Sequence, residues 1–307
     1  MSGPKDCSQI NGYIDPNFPN PLGPNDACIV IYGYASSHPN AISADRSPSY
    51  TPSLALCILG VILFITAFFT QLYLLLRYRT WYFSTIVFGT LMEVVGYIFR
   101  TLSSQKDPYS VPFFVVQYFF IVVAPVFFSA AIYTIITVMI NRVGREYAPL
   151  PPNAILWIFI VCDVVATVVQ IVGSALIGVA YANRKDPNTP KNILLGGLSF
   201  QVFSFAVFIV CLSLFLHQSK KATGSAFKQF SAAVFVATIA VYLRTCFRLA
   251  ETADGLKAFV STHEVFFGCL EFSPIVIAVY IFIYWHPGRW LGSKQMEGKG
   301  FEGHSSK

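Results

Sequence analysis

Seven apolar stretches, each long enough to cross a bilayer, decide what this chain can become. They run over about 53–76, 81–102, 111–140, 154–180, 193–216, 227–248 and 263–284. A spanning helix needs about 20 apolar residues to cross the hydrocarbon core. Lipid offers no partner to open backbone, so only helices or a closed barrel can span it. The alternating pattern of a membrane barrel is absent from these stretches. The chain is 55% hydrophobic and 12% charged, where a soluble domain has about a quarter charged residues. The expected fold is therefore an all-α membrane protein, a seven-transmembrane-helix bundle over residues 51–286. An irregular, Pro- and Asn-rich tail (1–50) precedes it, and a polar, disordered tail (287–307) follows.

Orientation follows from Lys and Arg in the short loops. One side, with loops 77–80, 141–152 and 217–226, Lys228 and the segment from 285, carries eleven basic and three acidic residues. The other side carries seven basic and eight acidic residues. This asymmetry predicts an extracellular N-terminus and a cytoplasmic C-terminus. It also accounts for the net charge of +6 without nucleic acid, since no basic stripe with interleaved aromatics appears. Residues 1–50 lack the charged start and apolar core of a signal peptide, so the first helix is expected to translocate the tail itself. Cys7 and Cys28 share that tail, where an oxidising compartment would permit a disulfide between them. Trp81, Trp157, Trp285 and Trp290 all fall near the cytoplasmic boundary and read as an interfacial belt. Pro125 and Pro274 lie inside spans. Each is expected to bend its helix and free a carbonyl.

The decisive residues are the charges inside the spans. Glu93, Arg100, Asp163, Arg244, Arg248, Glu264 and Glu271 lie within them or at their ends. A charge at a helix centre costs about 3 kcal/mol on insertion scales. Seven facing lipid would approach the whole stability of a typical protein, about 5–15 kcal/mol. The central ones must therefore face protein or water. Their spacing agrees. Glu93 and Arg100, Asp163 and Gln170, and Glu264 and Glu271 are each i,i+7 pairs, and Arg244, Arg248 and Glu251 run i, i+4, i+7. Seven residues make two helical turns with about 20° of drift, so each helix carries one polar stripe. Gln117 and Gln201 add amides on two further helices. With this topology Glu93, Asp163 and Glu271 lie deep, below an outer layer of Arg100, Arg244, Arg248, Glu251 and Glu264. Two readings stand. The charges either pair between helices and fix the bundle, or they line a polar path for an amphipathic molecule. In the second case the deep carboxylates would suit an ammonium head, and Arg244 and Arg248 a phosphate or hydroxyl.

The same residues carry a resemblance. "EVVGYIFR" (93–100) resembles the E-x-x-G-Y-x-x-R pattern of the fungal lipid-translocating exporter family, the RTA-like seven-helix membrane proteins. "APVFFSAAIY" (124–133) is similar to that family's third helix, and "DVVATVVQIVG" (163–173) to the D-x6-Q-x2-G of its fourth. "RTCFRLAE" (244–251) resembles its R-x-x-F-R-x-x-E element, and "HPGR" (286–289) its close of the seventh helix. The sequence departs from the pattern at Glu271, where an aspartate is common, and at Gly268 and Cys269, near a usual aromatic. The resemblance implies a plasma-membrane protein that moves or releases lipids, sphingoid long-chain bases among them, or confers resistance to toxic amphiphiles. It also adds Tyr97 to the candidate substrate-binding set. The partners implied are membrane lipids and an amphipathic cationic substrate.

Other classes fit less well. A seven-helix sensor or receptor shares the helix count, but the seventh span reads "SPIVIAVY" in place of N-P-x-x-Y. An intramembrane lipid hydrolase would need clustered metal ligands. The five histidines (His38, His217, His263, His286, His304) are instead spread over both sides and the tails. No cofactor is expected, and no phosphate-binding G-x-x-x-x-G-K-[ST] loop is present to couple ATP.

Overall fold

The computed structural model describes residues 13–14, 29–30, 33–34, 54–105, 111–182, 188–219, 224–254 and 267–290. Among these, seven helices are long and apolar enough to cross a membrane. Six of them are α1 (Leu54–Tyr78), α2 (Ser84–Gln105), α3 (Val111–Val143), α4 (Pro152–Ala182), α5 (Asn188–Ser219) and α6 (Ser225–Asp254), and the seventh runs from Gly268 to Trp290 with α7 (Ser273–Tyr284) at its centre. A stretch of π-helix, Phe267–Phe272, leads into α7, and a short α8 (Pro287–Trp290) follows it. The protein is a multi-pass membrane protein. In the tail, where the sequence suggests no regular structure, β1 (Tyr13–Ile14), β2 (Ile29–Val30) and β3 (Gly33–Tyr34) pair antiparallel in that order. The Cys7–Cys28 pairing and residue Glu264 lie outside the described residues.

Helices adjacent in sequence pack together, and α7 lies against both α6 and α1. At the centre runs α3, whose Ile132, Tyr133, Ile135, Ile136, Met139 and Ile140 are all buried. An apolar helix without a polar face belongs inside a bundle. The outer helices expose apolar side chains as well. Phe69, Trp157 and Phe203 are 63%, 65% and 68% exposed. In water such a surface would aggregate, whereas in acyl chains it is solvated. The four tryptophans divide: Trp81 and Trp157 face outward, while Trp285 and Trp290 pack against the core.

Local sequence fixes the joins. Between α1 and α2, Arg79 takes a left-handed backbone (φ 52°) and Thr80 donates to the Leu75 carbonyl at 3.3 Å. Such a residue closes a helix by capping a late carbonyl. The "HPGR" motif seals this turn. His286 is buried against Tyr78 and Phe83, and a Cβ on Gly288 would stand 2.5 Å from the Tyr78 Cβ. Only glycine permits that approach.

The two prolines sit in different surroundings. Pro125 cannot donate to Ile121, four residues earlier. The Ile121 carbonyl instead accepts from Arg244 Nη2 at 2.7 Å. Pro274 follows the π-helical stretch, whose Gly268 carbonyl accepts from Ser273 Oγ at 2.7 Å. The wider turn places Glu271 toward α6.

Candidate polar site within the bundle

The largest polar group joins α2, α6 and the turn before α7. Arg244 is 2% exposed and lies between two carboxylates that are each 1% exposed. Its Nη1 is 3.4 Å from Glu93 Oε1, and its Nη2 is 3.4 Å from Glu271 Oε1. Arg248 extends the chain of charges, with Nη1 at 2.8 Å from Glu251 Oε2 and 3.4 Å from Glu271 Oε2. Arg100 is buried in the same field and acts on both Glu251 and Glu271. The i,i+7 spacing thus brings Glu93, Arg100, Arg244, Arg248, Glu251 and Glu271 together.

Arg244 does not stand in a separate outer layer as the topology suggests. Helical side chains tilt toward the N-terminus of their helix. On α6 that direction is toward the deep carboxylates, so the guanidinium enters their layer. The contacts are loose. Charge-assisted bonds run about 2.7–2.9 Å when well made, but three of these four ion pairs measure 3.4 Å. The Glu93–Arg244 contact is not aligned as a hydrogen bond at all. The tightest bond of Arg244 goes to the carbonyl that Pro125 leaves free.

The glycine in the "EVVGYIFR" motif makes the network possible. A Cβ on Gly96 would stand 2.7 Å from Ile121 Cγ1, so its absence lets α2 approach α3 where Arg244 docks. Tyr97, fully buried, packs between Phe64 and Phe272, and its ring occupies the space over Gly60. Tyr97 is thus an aromatic wedge beside the charges.

The remaining candidates form two smaller groups. Asp163 Oδ2 accepts from Tyr133 Oη at 2.9 Å, with both side chains buried. Ser129 also acts on Asp163, and among the described residues no cation pairs with it. Gln170 Nε2 donates to Gln201 Oε1 at 2.8 Å between α4 and α5. Gly173 allows this approach, since a Cβ there would stand 2.8 Å from the Leu194 backbone nitrogen. A cavity of about 20 Å³, roughly room for one water, touches Gln170, Gln201, Pro125, Arg244 and Arg248 and connects the amide pair to the charges. Asp163 is not among its lining residues. Gln117 lies on α3, and its side chain is outside the described residues.

Sequence reasoning missed Tyr133, and it expected the carbonyl that Pro125 frees at Ile121 but not its arginine partner. Each left a signal. Tyr133 is a hydroxyl in the middle of an apolar span, and Ile121 is four residues before a proline. Among the described residues, no three His, Cys, Asp or Glu side chains stand together as a metal site.

Seven apolar helices enclosing buried, mutually paired charges define a polytopic membrane protein with a polar interior. Comparison with known proteins specifies it further. The family model described as "RTA1 like protein" matches residues 86–294, and the chain belongs to this family. It is 28% identical over 293 residues to a protein named sphingoid long-chain base transporter RSB1 from Saccharomyces cerevisiae, covering 83% of this chain and 75% of that protein. Protein RTA1 of the same yeast is 26% identical over 266 residues (76% of this chain, 82% of that one). Protein RTM1 is 26% identical over 213 residues (66% of each). No solved structure matches.

Proposed function

We propose that this protein moves an amphipathic lipid with a cationic head, a sphingoid long-chain base, from the inner to the outer leaflet of the plasma membrane. In doing so it protects the cell from toxic amphiphiles. The N-terminal tail lies outside and the C-terminus in the cytoplasm. The observation that carries this reading is the similarity, along 83% of the chain, to a protein named as a transporter of such bases.

The chemistry of the interior fits. Glu93 and Glu271 share the Arg244 guanidinium at 3.4 Å. An ammonium entering between them would exchange with loose contacts and would leave Arg244 its carbonyl partner. Asp163 supplies a carboxylate held by the Tyr133 hydroxyl on one oxygen, a second station for a cation. The cavity of about 20 Å³ beside Arg244 is far smaller than a lipid. Passage therefore requires α2, α6 and α7 to part, at the place where their ion pairs are longest. Carriage of lipid by charge exchange needs no catalytic residue.

The test is leaflet exchange in liposomes, scored with a fluorescent sphingoid base and a fluorescent phosphatidylcholine. The full chain should accelerate exchange of the base and leave the phospholipid unaffected. Glu93→Gln and Asp163→Asn keep size and hydrogen bonding but remove charge, and they should slow the base at least about tenfold, the effect of about 1.4 kcal/mol. Undiminished exchange by a folded Glu93→Gln/Asp163→Asn double variant would leave structural pairing as the role of these groups. Ligand-dependent signalling without exchange would favour a seven-helix sensor.

A further inference from the structure

A second polar feature lies at the other end of the bundle. Between the end of α5 and the start of α6 runs a groove of about 470 Å³, within the size range of small-molecule sites. Its polar side is formed by His217, Lys228 and Ser231, and its apolar side by Leu216, Phe227 and Phe235. The arrangement follows from helical spacing. Lys228, Ser231 and Phe235 fall at i, i+3 and i+7 on one face of α6, opposite Leu216 and His217 on α5. Lys228 and Arg244 are sixteen residues apart, about 24 Å along the helix, so the groove is far from the charge network.

Three observations converge on one kind of occupant. Ser231 is 7% exposed, and its hydroxyl has no hydrogen-bond partner although it lines the groove. A buried hydroxyl left unsatisfied is costly unless something binds it. The lining holds one lysine and one histidine and no acidic residue. It therefore favours an anion and repels the cationic base proposed for the interior. Lys228 also stands in the first turn of α6 (Ser225–Asp254), where the free N–H groups and the helix dipole attract negative charge. The apolar side fits the part of a lipid where head meets acyl chain. This end of the bundle carries the positive excess of the sequence, the side on which anionic lipids gather.

We propose that this groove binds the phosphate headgroup of an anionic membrane lipid of the cytoplasmic leaflet. Lys228 and His217 meet the phosphate, Ser231 donates a hydrogen bond to it, and the Phe227 and Phe235 rings cover the proximal chain. This assignment does not depend on the transport step, but it rests on the orientation proposed above, which places this end of the bundle in the cytoplasm.

The experiment is native mass spectrometry of the full chain in detergent. Phosphatidylserine, phosphatidylcholine and, separately, inorganic phosphate and glycerol phosphate are titrated in. The wild type should retain phosphatidylserine in preference to phosphatidylcholine. Lys228→Gln should weaken phosphatidylserine retention about fivefold, the effect of losing one basic charge near the surface. Adding Ser231→Ala should weaken it further, while Lys228→Arg should preserve it. Lys228 is exposed, so its loss leaves the fold intact, which an unchanged melting temperature will verify. Equal retention of the two lipids, or equal phosphatidylserine adducts on wild type and Lys228→Gln/Ser231→Ala, would overturn the proposal. Saturation by glycerol phosphate or inorganic phosphate at the concentration effective for the lipid would assign the groove to a soluble anion and overturn the lipid assignment.

Discussion

The two polar regions of the interior differ in kind. Around Arg244, charge meets charge, the geometry is loose, and three helical elements share one guanidinium. Around Asp163 and Gln170, the contacts are short, at 2.9 and 2.8 Å, and the donors are neutral. A tight neutral bond has little to gain from a new partner. Loosely held ions, already stripped of water, have much to gain from another ion in better alignment. The first region is thus built to exchange partners and the second to hold α3, α4 and α5 together, except at Asp163, whose Oδ1 has no hydrogen-bond partner among the described residues and stays open to the cation proposed above.

Breaking each region in turn sharpens the contrast. The largest effect should come from Arg244→Ala. It leaves Glu93 and Glu271 buried without their shared guanidinium and the Ile121 carbonyl without its donor. Removal of one partner from a buried ion pair costs about 3–5 kcal/mol, and thermal unfolding in detergent should show it as a loss of the folded fraction. A variant as stable as the wild type would mean that the network bears no structural load.

An intermediate effect is expected from Tyr133→Phe, which deletes only the hydroxyl above Asp163. Leaving a buried acceptor short of its donor costs about 1–3 kcal/mol. Asp163→Leu introduced into that background should recover part of the loss, as read by the same melts. No recovery would show that the bond is not what stabilises this pair.

Arg248→Gln should do least. Its shortest ion pair, with Glu251, is partly exposed, at 14% and 26% for the two side chains. Such pairs contribute about 0–1 kcal/mol. A loss matching that of Arg244→Ala would place both arginines on one footing and erase the gradient from buried to open along α6.

The spans were legible because the bilayer dictates them. The apolar run at 53–76 became Leu54–Tyr78, and that at 111–140 became Val111–Val143. The helices overrun the apolar runs by a turn where backbone bonding continues past the hydrocarbon. The polar faces were legible too, because seven residues return to one side of a helix. Partnerships across helices were not. Nothing within α2 indicates that Glu93 meets Arg244 on α6, since that depends on how helices pack and on the approach that Gly96 permits. The two Pro residues were legible as breaks, but what replaces a lost bond depends on neighbours. One freed carbonyl found an arginine of another helix, whereas the other break was absorbed by a wider turn.

That wider turn gears the charge network to the winding of a single helix. Bonds in a π-helix reach one residue further than in an α-helix, and at the end of the stretch the Ser273 hydroxyl also donates to the Gly268 carbonyl five residues back. Loss of the extra residue from the turn would rotate everything before Ser273 by about 100°. Glu271 would then swing off the face shared with Arg244 and Arg248, and both arginines would lose a carboxylate in one movement. Helix register and ion pairing are in this sense one variable, set at a single turn.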